Sequence, residues 1–341
     1  LLVDDEQLHR NYEAVQRAHG RQVMAVVKGD GYGHGLLTAA RAFQAAGARS
    51  LGVWSLEEAF ELRAHGFRRC EIVVLQGFDY QLKALQAATV EDVVVVAGDR
   101  SVLDHRAAGL RVHPLIETGL GRGALTPRAA LALAGDAASF GLHVDGVAVH
   151  FPSLPSAAEE AALRRELSPL VARPDALHVG GSDALALDVQ LPVRAGRLLY
   201  GVVPSIPRMT QTFGTAVREA RTWLAQGRVY PAPAAVLGYD RAPVATGTPV
   251  LEIAAGYGHG LPADRQGWIV RTEAGAWTVV STAMNVSWAV PADPATAADA
   301  RRVPCRVLLA GRTSWAEIDA RDLATATAAS TSSVLTAPRP R

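Results

Sequence analysis

Eight short apolar runs, near residues 23–27, 50–54, 71–76, 91–97, 110–116, 145–150, 176–180 and 191–194, recur between longer Ala/Leu/Glu/Arg stretches over the first 210 residues. Runs of that length read as strands buried on both faces, and the stretches between them are long enough for a helix to return the chain. The alternation is the βα rhythm of a parallel sheet, and eight repeats suit a (β/α)8 barrel. One intervening stretch, Ser55-Leu56-Glu57-Glu58-Ala59-Phe60-Glu61-Leu62-Arg63, turns Leu56, Ala59, Phe60 and Leu62 to one side and its acids to the other. From about 211 the texture changes to short β-rich runs punctuated by Pro and Gly, such as Arg228-Val229-Tyr230-Pro231 and Trp268-Ile269-Val270. We therefore expect an α/β barrel over 5–210 and a mainly β domain over 211–341.

Charge and cysteine usage narrow the partners. With 34 basic and 33 acidic residues mixed along 341, the formal net charge is +1 and no basic stripe offers a nucleic-acid surface. Small ligands are the expected partners. Cys70 and Cys305 lie far apart without a His/Cys cluster, which suggests neither a disulfide framework nor a metal site, and fits a reducing, cytoplasmic location. The opening Leu1-Leu2-Val3-Asp4-Asp5-Glu6 is too acidic for a signal peptide, and no apolar run reaches membrane-spanning length.

The residues with the clearest chemistry follow the first strand, in Ala25-Val26-Val27-Lys28-Gly29-Asp30-Gly31-Tyr32-Gly33-His34-Gly35. A lysine delivered by a buried strand has its ammonium form disfavoured, leaving an amine able to form Schiff bases with carbonyls. The glycines let backbone approach a ligand closely, and Tyr32 supplies a hydroxyl suited to a phosphate.

This stretch resembles the pyridoxal phosphate (PLP) lysine motif of the alanine racemase family, Ala-Val-Val-Lys-Ala-Asp-Ala-Tyr-Gly-His-Gly, with glycine at 29 and 31. The resemblance implies a (β/α)8 barrel followed by a mainly β domain, acting as a homodimer on a small-molecule amino acid with PLP on Lys28. Later segments continue it, each just beyond an expected strand, where barrel enzymes build their sites. Glu117-Thr118-Gly119-Leu120-Gly121-Arg122 is similar to Asp-Thr-Gly-Met-Gly-Arg, whose arginine contacts cofactor and substrate carboxylate. Val149-His150-Phe151 resembles the segment whose histidine lies beside the cofactor ring and bonds the next arginine, and His178-Val179-Gly180-Gly181-Ser182 the one whose serine, here Ser182, contacts phosphate. In Val193-Arg194-Ala195-Gly196-Arg197-Leu198-Leu199-Tyr200-Gly201 the resemblance sets Arg194 facing the pyridine nitrogen, with Gly196 and Arg197 at the phosphate. An arginine keeps its proton, so that nitrogen stays unprotonated and racemisation is favoured over transamination. In the β domain, Val236-Leu237-Gly238-Tyr239-Asp240-Arg241 resembles the segment carrying a second catalytic base, here Tyr239, contributed across the dimer. Tyr257, in Gly256-Tyr257-Gly258-His259-Gly260, would line the substrate entrance, and Met284 would offer its amide to the substrate carboxylate.

Several positions depart from the family pattern. Gly181 replaces an asparagine, Leu115 a lysine that is carbamylated in many members, and His259 and Asn285 replace acids; the tail 330–336 lacks the usual tyrosine. Arg197 stands where an aliphatic residue is usual. The expected activity is a two-base, PLP-dependent interconversion of L- and D-enantiomers of alanine or a larger amino acid. PLP-dependent decarboxylation or retro-aldol cleavage, and non-catalytic PLP binding, stay open as other uses of Lys28, although binding alone does not call for Tyr239.

Overall fold

A computed structural model describes residues 2–121, 123–151, 156–170, 176–181, 184–185, 191–204, 206–238, 240–259, 261, 267–300, 304–313 and 316–318. The chain divides into two compact units, Asp5–Arg218 and residues 1–4 together with 219–341.

In the first unit eight parallel strands form a closed barrel: β1 (Val23–Val26), β2 (Ser50–Val53), β3 (Glu71–Gly77), β4 (Val93–Ala97), β5 (Arg111–Ile116), β6 (Val147–His150), β7 (Leu177–Gly180) and β8 (Val193–Ala195). Closure comes from β8 returning to β1, with Val193 opposite Val23 and Ala195 opposite Ala25. All residues of β1, β2 and β4 are buried, the pattern of strands covered by helices outside and side chains inside. Met24, Val26, Val73, Leu75, Val94, Val96, Leu115 and Ala148 pack together within it, so Leu115 sits in an apolar cluster. Gly52 faces the same space, where a Cβ would come within 3.2–3.4 Å of Leu75, Met24 and Val26.

Helix α1 (Asp5–His19) precedes the first strand, α2 (Leu36–Ala45), α3 (Leu56–Ala64), α4 (Leu82–Val90), α5 (Pro127–Ala137) and α6 (Ala157–Leu167) lie between strands, and α7 (Pro207–Phe213) follows the last. Helix α3 starts where the Ser55 side chain accepts from the Glu58 amide, and it buries Leu56, Ala59 and Leu62. Phe60, expected on the same face, is only half-buried. The units meet at Arg218/Glu219 rather than 210/211, because α7 spans that boundary and buries Met209 and Phe213.

The second unit is antiparallel. Strands β9 (Arg221–Pro231), β10 (Pro249–Ile253), β11 (Ile269–Thr272), β12 (Gly275–Thr282), β13 (Ser287–Pro291) and β14 (Pro304–Arg312) run in the order β9-β10-β13-β12-β11-β14, and β14 pairs back with β9. Trp268 and Trp277 fill its interior, Trp277 donating from Nε1 to Thr272 Oγ1 at 2.9 Å. Leu2–Val3 adds to the β9 edge opposite Thr222 and Arg221, a pairing that nothing local in the sequence announces. Among the described residues no helix is long and apolar enough to cross a membrane.

Candidate active site

Backbone geometry beyond β1 sets the position of Lys28. Gly29, Asp30 and Gly31 have φ of 64°, 53° and 62°, Tyr32 follows at 51° and Gly33 at 77°, so the chain makes a left-handed turn closed by Gly31 N donating to Val27 O (2.8 Å) and Gly33 N to Gly29 O (3.1 Å). Left-handed backbone costs about 1–2 kcal/mol per residue with a Cβ, a cost that glycine avoids at 29 and 31 and that Asp30 and Tyr32 incur. The turn is tied down at both ends. Glu58 of α3 accepts from Gly29 N (2.7 Å), Asp30 N (3.4 Å) and Trp54 N (2.7 Å), while Asp30 Oδ1 accepts from Leu36 N at 2.8 Å at the start of α2. His34 is buried, its Nδ1 lying 3.0 Å from Tyr32 O and 3.2 Å from Gly31 O.

Burial of the lysine was overstated by the strand pattern. Val23–Val27 is buried, but Lys28 itself is half-buried, with Nζ 5.2 Å from the ring centre of Trp54. A cation–π contact of this kind holds the side chain across the strand ends.

Tyr32 reaches the other side of the mouth. Its hydroxyl lies over Gly196, where a Cβ would be 2.5 Å away, and its ring packs against Tyr200 at 4.9 Å between centroids with a tilt of 38°. Burial raises the Tyr32 pKa, and the charge of Arg197 opposes that rise. Tyr200 is fully buried, which pushes its own pKa well up, and it donates to Val26 O at 3.0 Å. The segment after β8 thus braces the strand that carries Lys28.

Arg194, 4% exposed, projects from β8. Its Nη1 lies 2.5 Å from His178 Nδ1 and donates to His178 O at 2.9 Å, and Nη2 donates to Val149 O at 2.8 Å. His150 comes to the same place: a Cβ on Gly180 would be 2.2 Å from Arg194 Nη2 and 2.4 Å from His150 Nδ1, so the two side chains meet over that glycine. The loop after β5 joins them through Thr118 Oγ1, which donates to His150 O at 2.6 Å. Glu117 shapes that loop by accepting from the amides of Gly119 (2.6 Å), Thr118 (2.9 Å) and Gly121 (3.2 Å), and these amides, Gly121 first, hold its carboxyl below the usual range.

Lys28, Tyr32, His150, Arg194, Gly196 and Arg197 therefore gather at the C-terminal strand ends. Arg122, Ser182 and Tyr239 lie outside the described residues. Gly181 has φ 101°, more extended than the left-handed region where asparagine is tolerated, which accounts for glycine there. In the second unit the short pairing of Val236–Leu237 with Ala242–Pro243 flanks position 239, and Ser281 Oγ donates to Asp240 at 2.7 Å. Tyr257 and Met284 are neighbours: Tyr257 N donates to Ala283 O (3.0 Å) and Gly258 N to Met284 O (2.8 Å), leaving both side chains exposed. Glu58, Trp54, His178 and His113 were not singled out from sequence, although polar residues at inward positions of barrel strands are a readable signal for the last two.

Comparison with known proteins decides the family. Residues 3–204 match the family described as alanine racemase, N-terminal domain, and the alanine racemase of Thermobifida fusca is 32% identical over 270 residues, 72% of this chain and 71% of that one. The chain belongs to the alanine racemase family. That membership makes it an isomerase of the PLP-dependent amino-acid racemase class. Among solved structures, the alanine racemase of Streptomyces coelicolor A3(2) superposes with a TM-score of 0.84 at 26% identity, covering 99% of this chain and 96% of that one. The same fold is shared with a histidine racemase from Leuconostoc mesenteroides subsp. sake, TM-score 0.81 at 21% identity, covering 99% and 95%.

Proposed function

We propose that the protein racemises alanine or a larger free amino acid, with Lys28 and Tyr239 as bases on opposite faces of Cα. The observation that carries this reading is the convergence of Lys28, Tyr32, His150, Arg194 and Arg197 at one end of the barrel. The donors fit PLP. Lys28 offers the amine, the Tyr32 hydroxyl and the Arg197 guanidinium offer phosphate contacts beside Gly196, and Arg194 is a fixed donor for the ring nitrogen. Bound PLP withdraws electron density from Cα and so makes its proton removable. Arg194, which keeps its own proton, leaves the ring nitrogen unprotonated; this tempers that withdrawal and favours return of a proton to Cα over loss of the amino group. Arg122 is assigned to the substrate carboxylate, Ser182 to the phosphate, and Tyr257 and Met284 to the substrate entrance.

A tyrosine base needs its pKa, about 10 when unperturbed, brought down by neighbouring cations. Arg122 is assigned that role. Tyr239 is read as coming from a second copy of the chain, so the working form is a homodimer, and the setting is cytoplasmic. Substrates larger than alanine are favoured by the tail without tyrosine and by a fold shared with a histidine racemase.

The test is incubation with a panel of L-amino acids in deuterium oxide followed by chiral chromatography. Deuterium at Cα in both enantiomers is expected for at least one substrate. Tyr239→Phe is expected to abolish racemisation with PLP still bound, any residual exchange being confined to one enantiomer. Loss of carboxylate as CO2, or unaltered substrate throughout the panel, overturns the reading.

A further inference from the structure

The interior of the barrel is divided. Strands β1, β3 and β4 line it with aliphatic side chains, whereas β5, β7 and β8 place His113, His178 and Arg194 inside it, each 3–4% exposed. These three are consecutive links of one chain. Arg194 Nη1 meets His178 Nδ1 at 2.5 Å, His178 Nε2 meets His113 Nδ1 at 2.9 Å, and His113 Nε2 meets Asp145 Oδ1 at 3.1 Å. Asp145 Oδ2 pairs with Arg111 at 2.7 Å, and Arg111 also bonds Glu71 at 2.6 Å and Asp92 at 3.4 Å. The backbone makes room for the chain: a Cβ at Gly146 would lie 2.4 Å from His113 Nε2.

Its two ends fix the direction of every hydrogen bond between them. A guanidinium only donates, so His178 Nδ1 is an acceptor and the ring proton sits on Nε2. That proton is donated to His113 Nδ1, whose own proton then sits on Nε2 and is donated to a carboxylate that only accepts. Both rings are neutral Nε2–H tautomers in this arrangement. Burial first, then the charge of Arg194, lower the His178 pKa well below its ordinary value, in keeping with a neutral ring. Asp145 is held to about 2, burial being outweighed by the hydrogen bonds from His113 and Arg111 and by the charge of Arg111.

We propose that His113 and Asp145 are positioning residues for Arg194: through His178 they present an acceptor to its guanidinium, and so hold it where it faces the cofactor ring nitrogen. The last clause rests on the role proposed above for Arg194; the wiring itself does not. Reversal of the chain would turn an N–H of His178 toward an N–H of Arg194 at 2.5 Å, and the guanidinium would have to leave. Asp145→Asn allows that reversal, because an amide both donates and accepts.

The experiment uses full-length protein with 15N-labelled histidine, without and with PLP. In the wild type the 15N shifts of His113 and His178 are expected to report Nε2–H rings, cofactor or not. In Asp145→Asn the Nδ1–H form should appear at both rings, the pH profile of absorbance of bound PLP should shift, and kcat should fall on the order of tenfold, the worth of a hydrogen bond to a charged group, with KM little changed. Asp145→Glu, which restores the carboxylate, should recover the wild-type tautomers. An Nδ1–H ring at His178 in the wild type, or wild-type tautomers and absorbance in Asp145→Asn, overturns the proposal. Should PLP fail to bind Lys28, the function proposed above falls, whereas the tautomers measured without cofactor still decide the wiring.

Discussion

Replacing Gly196 by alanine tests whether Tyr32 belongs to the cofactor site. Gly196 has φ −117°, outside the left-handed region, and the space above it is taken by Tyr32. The new methyl would lie 2.5 Å from Tyr32 Oη where ordinary contact begins at 3.4 Å, so the hydroxyl has to retreat by about 0.9 Å. Retreat is resisted because the ring is packed against the fully buried Tyr200. Overpacking of this kind costs about 1–3 kcal/mol, and a displaced hydroxyl forfeits about 1.5–3 kcal/mol at a charged phosphate. PLP affinity, measured by fluorescence titration of the cofactor-free enzyme, is therefore expected to drop about tenfold to a hundredfold. In a Tyr32→Phe background the methyl meets no oxygen, and the two changes should couple by at least about 1 kcal/mol. Additive losses, or unchanged PLP affinity in Gly196→Ala, would refute the assignment of this hydroxyl to the phosphate.

Gly31→Ala should destabilise the barrel unit by about 1–2 kcal/mol in urea unfolding, since φ stays positive and the new methyl comes within 3.0 Å of Ala39 Cβ. Arg197→Ile should weaken PLP binding by about tenfold to a hundredfold, with unchanged affinity dismissing a phosphate contact. Asp145 carries a folded pKa of about 2 against an ordinary 3.8, so its contribution to stability is complete above 3.8 and fades as pH falls towards 2. Acid unfolding curves should therefore show Asp145→Asn losing less stability over that window than the wild type.

Strand positions were legible because buried parallel strands are short apolar runs with nothing else to encode, and all eight fall where those runs stand. The motifs at their C-terminal ends were legible because their chemistry is local, as in Lys28 within its glycines. What sequence hid was long-range. His113 and His178 touch although they stand 65 positions apart in the sequence, and only the closed barrel shows that they share a layer. Glu58 reads as one more acid on the outer face of α3, yet its carboxylate bends back onto the Lys28 turn. The half-exposure of Lys28 was missed for a related reason: Val27 ends the buried run, and the left-handed turn begins immediately after the lysine.

The pairing of Leu2–Val3 with β9 bears on how the chain comes off the ribosome. Val3 emerges roughly 220 residues ahead of Arg221, a wait on the order of 10–40 s at ordinary translation rates. Every strand of the (β/α)8 unit is made during that interval, and its closing pair, Val193 with Val23, is available before the first residue of β9 exists. Leu2–Val3 is thus translated ahead of the whole (β/α)8 unit yet finds its partner strand only after that unit has been made, and its edge stays open to other pairings throughout that interval.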